Sequence, residues 1–345
     1  MAKLLKPKSL SIGDTIGIFT PSYPAYILNE EKFQLGIKVI QDLGFKVKLG
    51  SLTDQRANEG YRPASGKARA DEFMALYRDP DVRCLIATLG GMNSNSMIPY
   101  LDFEYIRNNP KIVCGYSDVT SLHLSILHYS GLSTFYGPAI MSWFSEWPKG
   151  ELETIESFLS AVSKDTVYPR DLTPFDKWSN HFRDWSDGSW KTQKRKWENN
   201  SGWKVLSTGD VTGEIVVCNL NTLISAAGTE YFPNVKNRIL LIEEMAAPYS
   251  KEERSLTQLK LMGVFDEISG LIIGKPEVPN SENAPFDMNE LIMEIVGKRD
   301  YPIVSEFDLS HTCPMHTLAQ LSKVQLIAKG NYDVTFKILE RMTLD

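Results

Sequence analysis

Short apolar runs alternate with helical segments along the first part of this chain, and that alternation constrains the fold more than any other feature. Strand-like runs fall at Thr15–Phe19, Lys46–Leu49, Arg83–Thr88, Ile112–Cys114 and Ser133–Tyr136. Between them, Asn29–Leu43, Ala68–Arg78 and Val119–Tyr129 carry apolar residues at helical spacing. Gly44 and Asp79-Pro80 supply stop signals for the first two helices. Strands that alternate with helices predict a parallel sheet covered on both faces. Ligands of such sheets bind beyond the carboxyl ends of the strands. Gly90-Gly91 and Ser117 both fall at predicted carboxyl ends.

A chain of 345 residues is too long for one small core, so two domains are expected. The pattern breaks at about Tyr168. The segment to Lys204 is polar and holds five of the seven tryptophans: Trp178, Trp185, Trp190, Trp197 and Trp203. A second alternation follows, with strands at Gly213–Cys218, Arg238–Ile242, Gly270–Gly274 and Asn331–Ile338, and helices at Asn219–Gly228, Lys251–Met262 and Asn289–Val296. The expected division is therefore an N-terminal α/β domain over 1–167, a Trp-rich linker or lid over 168–205, and a smaller C-terminal α/β domain over 206–345. The active site is expected between the two domains.

Composition excludes several classes. With 42% hydrophobic and 23% charged residues, the chain is globular rather than disordered. A net charge of −6 argues against general nucleic-acid binding. No run approaches the roughly 18 apolar residues of a membrane span. The first residues carry lysines but no apolar block of signal-peptide length. Cys84, Cys114, Cys218 and Cys313 have no metal-ligand spacing and are expected as reduced, mostly buried thiols. A cytoplasmic protein without membrane or nucleic-acid partners is the expectation.

The chemistry centres on Lys111-Ile-Val-Cys-Gly-Tyr-Ser-Asp-Val-Thr120. A serine between a strand end and a helix start has its hydroxyl pushed into the open, near amides that stabilise negative charge. Such a serine needs a base, and the base needs an orienting acid. His123 and His128, on the helix after Ser117, are expected to pack. His311 and His316 share a Pro-containing loop where a base can be aimed. Glu243 and Glu244, at the end of the apolar run Arg238–Ile242, are candidate acids. The order Ser, Glu, His is one known arrangement of such triads. Gly90-Gly91 and the amide of Asp118 are candidate oxyanion donors.

Five segments together resemble the LD-carboxypeptidase family of serine peptidases. They are Gly13-Asp-Thr-Ile-Gly-Ile-Phe-Thr-Pro-Ser22, Leu89-Gly-Gly-Met-Asn-Ser94, Gly115-Tyr-Ser-Asp-Val-Thr120, Leu241-Ile-Glu-Glu244 and Ser310-His-Thr-Cys-Pro314. The resemblance spans nearly the whole chain. It implies a triad of Ser117, Glu243 and His311, oxyanion donors at Gly91 and Asp118, no metal or organic cofactor, and a homodimer. The run Leu89–Asn95 and the Trp-rich insertion resemble the family's microcin-immunity branch, which cleaves the bond joining an aminoacyl or peptidyl group to a modified nucleotide. Asn93 in that run is a candidate substrate contact. Trp185 and Trp190 are candidates for stacking on a base, and Lys191, Lys194, Arg195 and Lys196 for meeting phosphate-like oxygens. Two other readings stand beside this one: release of D-alanine from muramyl tetrapeptides by the same triad, and a non-catalytic nucleotide- or peptide-binding protein.

Overall fold

The computed structural model describes residues 4–181, 183–245, 248–277 and 280–345. Two sheets organise them. The first has six strands in the order Leu318–Ala319, Phe135–Tyr136, Ile112–Gly115, Val82–Ala87, Thr15–Phe19 and Lys46–Leu49. All pairings are parallel except that of Leu318–Ala319, which lies antiparallel to Phe135–Tyr136. The central strands are buried on both faces, as near-continuous apolar runs require. Helices Glu30–Asp42, Gly66–Arg78 and Thr120–Ser130 connect and cover them. Asn29 caps the first helix by accepting from the Lys32 amide, and Ser65 caps the second through the Ala68 amide.

The second sheet has eight strands in the order Arg170–Leu172, Asp333–Ile338, Lys323–Gly330, Gly209–Asn219, Ile239–Glu243, Gly270–Gly274, Ile303–Phe307 and Lys204–Ser207. It is mixed. Gly209–Asn219 is long enough to serve two partners: its first half pairs antiparallel with Lys323–Gly330, and its second half parallel with Ile239–Glu243. Short helices at Ser94–Tyr100 and Phe103–Asn108 were not foreseen, and neither was the helix Leu152–Val162.

The Trp-rich segment is not a free polar loop. Arg170–Leu172 forms the edge of the second sheet, Ser179 bridges to Cys313, and the indole of Trp203, 1% exposed, donates to Asp308 at 2.9 Å. Likewise Leu318–Ala319 crosses from the C-terminal part of the chain to complete the first sheet. These exchanges fix the two sheets against each other. All four cysteines are buried and unpaired. Among the described residues no helix is long and apolar enough to cross a membrane.

Candidate active site

Ser117 sits where Ile112–Gly115 ends and a 3₁₀ turn, Ser117–Val119, leads into the helix Thr120–Ser130. Its φ is +61°, a left-handed conformation that costs an L-residue roughly 1–2 kcal/mol. Two contacts hold it here. The Ser117 amide donates to the Tyr136 hydroxyl at 2.9 Å, and buried His123 hydrogen-bonds the Gly115 carbonyl at 2.9 Å and Thr134 Oγ1 at 2.8 Å. His123 is thus a packing residue under the turn.

The Tyr136 hydroxyl in turn donates to Glu243 Oε1 at 2.5 Å. Glu243 is the last residue of Ile239–Glu243 and is buried. Its Oε2 accepts from His311 Nδ1 at 2.6 Å and from the Ser310 hydroxyl at 3.1 Å, and Asn219 Nδ2 reaches Oε1 at 3.2 Å. Burial opposes the charge on Glu243. The positive charge of His311 and hydrogen bonds from His311, Tyr136 and Asn219 outweigh it, so the carboxyl lies below its ordinary range. Burial opposes the charge on His311 too, but Glu243, with Glu277 and Glu244 farther off, pushes the imidazole up to about 9. Burial and Glu243 raise the Tyr136 phenol well above its usual value, so it remains a donor.

Of the two candidate acids, Glu243 meets the histidine, and Glu244 accepts from the amide and side chain of Asn221. Of the two loop histidines, His311 faces Glu243, and His316 stacks on Phe175 with its Nε2 on the Thr173 carbonyl at 3.0 Å. The ring of Tyr116, next to Ser117, lies 4.8 Å from the His311 ring, centroid to centroid. Among the described residues no hydrogen bond joins the Ser117 hydroxyl to His311.

Gly90 and Gly91 lie against this turn. A Cβ on Gly90 would come within 2.9 Å of Ser117 Cβ, 3.1 Å of its Oγ and 3.2 Å of the Asp118 amide nitrogen. Gly91 has φ +147°, and a Cβ there would meet Ser22 Oγ at 2.3 Å. Only glycine fits both positions. The Gly91 amide has no acceptor among the described residues. Asp118 makes contacts the sequence did not suggest: its carboxylate accepts from the amides of Asn93 and Ser94 at 2.9 and 2.8 Å, and its carbonyl accepts from the Ser94 hydroxyl. It thereby clamps the glycine loop onto the serine turn. Asn93 belongs to the same clamp, with its Oδ1 accepting from buried Arg69 at 2.6 Å.

The insertion departs from expectation in two ways. Trp190 is 1% exposed and packs edge-on against Trp147, with buried Lys32 5.3 Å from its ring centre. It offers no open face to a base. Trp185 is half-buried, with Lys32 at 5.0 Å. Of the expected phosphate-binding cations, Arg195 is paired with Glu146, as is Arg183, and Lys191 pairs with Glu31. Sequence reasoning missed Tyr136, Asn219 and Ser310. Tyr136 and Asn219 end strands that flank those leading to Ser117 and Glu243, a position that could have flagged them.

Comparison with known proteins identifies the family. The profile of the LD-carboxypeptidase N-terminal domain matches residues 16–137, and that of the C-terminal domain matches residues 212–326. A putative carboxypeptidase of Vibrio cholerae is 38% identical over 321 residues, covering 90% of this chain and 92% of that protein. The chain belongs to the LD-carboxypeptidase family. Within it, the microcin C7 self-immunity protein of Escherichia coli is 37% identical over 310 residues, covering 90% of this chain and 89% of that protein. A structure of that immunity protein with glutamyl sulfamoyl guanosine matches with a TM-score of 0.92 and 35% identity, covering 99% of this chain and all of that one. This member of the family is a serine-type carboxypeptidase of the microcin-immunity-like branch, with the family's two-domain α/β fold.

Proposed function

We propose that this LD-carboxypeptidase hydrolyses the amide joining an aminoacyl or peptidyl group to a modified nucleotide, with Ser117 as nucleophile, His311 as base and Glu243 as its orienting acid. One observation carries the reading. A continuous hydrogen-bonded path runs from the Ser117 amide through Tyr136 to Glu243 and on to His311, so the nucleophile's turn and the base are fixed to one carboxylate. In the forward step His311 Nε2 takes the Ser117 proton as Oγ attacks the carbonyl carbon. The imidazolium is stabilised by Glu243, and the amides of Gly91 and Asp118 receive the oxyanion. The tetrahedral intermediate collapses as His311 returns the proton to the leaving nitrogen. Water, deprotonated by the same imidazole, then releases the acyl group from Ser117.

The nucleotide part of the proposal is supported by the relatives. Structures of the immunity protein show it in complex with glutamyl sulfamoyl guanosine, with aspartyl sulfamoyl adenosine and, as a variant, with adenosine monophosphate. Trp185, half-buried in the insertion, is the residue we assign to stacking on the base. A cytoplasmic homodimer is part of the same proposal, by analogy with the family.

The test is a comparison of aspartyl sulfamoyl adenosine with a muramyl tetrapeptide as substrates. Faster cleavage of the sulfamoyl nucleotide, lost in Ser117→Ala, is the expected result. Faster release of D-alanine would assign the enzyme to cell-wall recycling. No turnover of either, with no labelling of Ser117 by a fluorophosphonate, would favour a binding protein.

A further inference from the structure

Three successive amides of the glycine loop are taken, and the one before them is not. Ser22, fully buried just beyond the strand Thr15–Phe19, sets its hydroxyl oxygen against the amides of Met92 and Asn93 at 3.0 and 3.1 Å. The Asn93 amide is shared with the Asp118 carboxylate, which also takes the Ser94 amide. The Gly90 carbonyl accepts from the Tyr23 amide at 3.0 Å. The Gly91 amide has no acceptor among the described residues, and Gly91 is exposed beside half-buried Ser117.

The other side of the loop is held from the helix Gly66–Arg78. The guanidinium of Arg69, a residue 1% exposed, donates to Asn93 Oδ1 at 2.6 Å, to the Asn93 carbonyl at 3.3 Å and to Ser96 Oγ at 2.6 Å. It also donates to the Pro21 carbonyl, one residue before Ser22. A planar fork with five donors can join two loops in one geometry, which a single ammonium cannot. Arg69 therefore ties the segment that carries Ser22 to the loop that Ser22 supports. Among the described residues neither Ser22 nor Arg69 bonds to Glu243 or His311.

We propose that Ser22 and Arg69 are positioning residues for the oxyanion donor, holding the glycine loop so that the Gly91 amide faces the oxygen formed when Ser117 attacks. This rests on the reading of Ser117 as nucleophile and Gly91 as donor. A donor fixed in advance costs no reorganisation as charge develops. Without the Ser22 hydroxyl the exposed Met92 amide can turn to water, and Gly91, which has no side chain to stop it, loses its aim.

The test is the rate at which a fluorophosphonate labels Ser117 in the full-length wild-type protein, Ser22→Ala and Arg69→Lys, across pH, beside kcat and KM for aspartyl sulfamoyl adenosine. In labelling, Ser117 Oγ displaces fluoride at phosphorus, its proton passes to His311, and the phosphoryl oxygen takes the charge that the donor meets. Ser22→Ala is expected to label at least about tenfold more slowly at every pH, and Arg69→Lys, which keeps the charge and loses the fork, severalfold more slowly. In both, kcat should fall in parallel, with KM within about twofold and the pH midpoint unmoved, because the base is untouched. Thermal melts check that the variants fold, and either one carries the test if the other does not. A folded variant that labels at the wild-type rate, or that slows only through a shifted midpoint or a raised KM, would overturn the proposal for that residue and leave the hydrolase reading standing. A wild-type protein not labelled at Ser117 would overturn that reading, and this inference with it.

Discussion

Replacing Tyr136 by Phe removes one oxygen and keeps the ring. That oxygen accepts from the Ser117 amide at 2.9 Å and donates to Glu243 at 2.5 Å. Two costs follow. A hydrogen bond to a charged group contributes about 1.5–3 kcal/mol, and a buried amide left without its acceptor costs about 1–3 kcal/mol. Glu243 keeps His311, Ser310 and Asn219, so the acid stays in place with less restraint. The expected loss of stability is about 2.5–6 kcal/mol, measured by urea unfolding. The proposed mechanism adds a kinetic consequence, because the Ser117 turn loses its tie to the acid. A loss of about 1.4–2.8 kcal/mol of transition-state stabilisation lowers kcat about 10- to 100-fold. KM for aspartyl sulfamoyl adenosine should stay within about twofold, since Tyr136 is fully buried. A variant with lowered stability but wild-type kcat would refute the reasoning: Tyr136 would then be a packing residue, and the path through it would carry no catalytic function.

Four further outcomes are expected. First, kcat/KM should rise with pH. His311 must be neutral to act as a base, and its pKa is raised toward about 9, so each pH unit below that costs about tenfold. A midpoint at or below the ordinary histidine value would contradict this, and Glu277→Gln should move the midpoint down by removing one of the charges that raises it. Second, the sign of the stability change is opposite. The folded-state pKa of His311 is raised, so its contribution is present below the unfolded value and is lost as pH rises through about 9; the contribution of Glu243, whose pKa is depressed, is lost as pH falls through its folded value. Third, Ser117→Gly should be inactive yet more stable by about 1 kcal/mol, because glycine accepts φ +61° without strain. A destabilised glycine variant in thermal melts would count against strain at this turn. Fourth, Gly90→Ala should lower kcat at least about 100-fold, because its methyl would crowd the nucleophile at 2.9–3.1 Å; an active alanine variant would mean that the loop moves aside.

Much of the fold was legible because the first sheet is written as buried parallel strands between helices with ordinary caps and stops. Thr15–Phe19, Val82–Ala87 and Ile112–Gly115 stand within a residue of their expected positions for that reason. Lys323–Gly330 and Ile303–Phe307 were missed. The first alternates buried and exposed residues in an antiparallel setting, and the second follows Pro302 as a short run without a partner nearby in sequence. Contacts that span the chain were less visible still. Tyr136 and Glu243 are 107 residues apart, and Leu318–Ala319 completes a sheet built from the other end of the chain. The insertion misled because tryptophan serves equally well as a stacking surface and as core. Trp190 and Trp203 lie inside, and Arg195 is spent on Glu146 rather than on a ligand.

The claim at the centre of this account is that one hydroxyl performs acyl transfer with the help of the imidazole anchored on Glu243. Intact-protein mass spectrometry after reaction with a fluorophosphonate tests it most directly, with the adduct mapped by peptide digestion. The account predicts a single adduct on Ser117, formed faster as pH rises, and slowed at least about 100-fold in a folded His311→Ala variant. An adduct on another residue, or one on Ser117 that forms equally fast without His311, would contradict it.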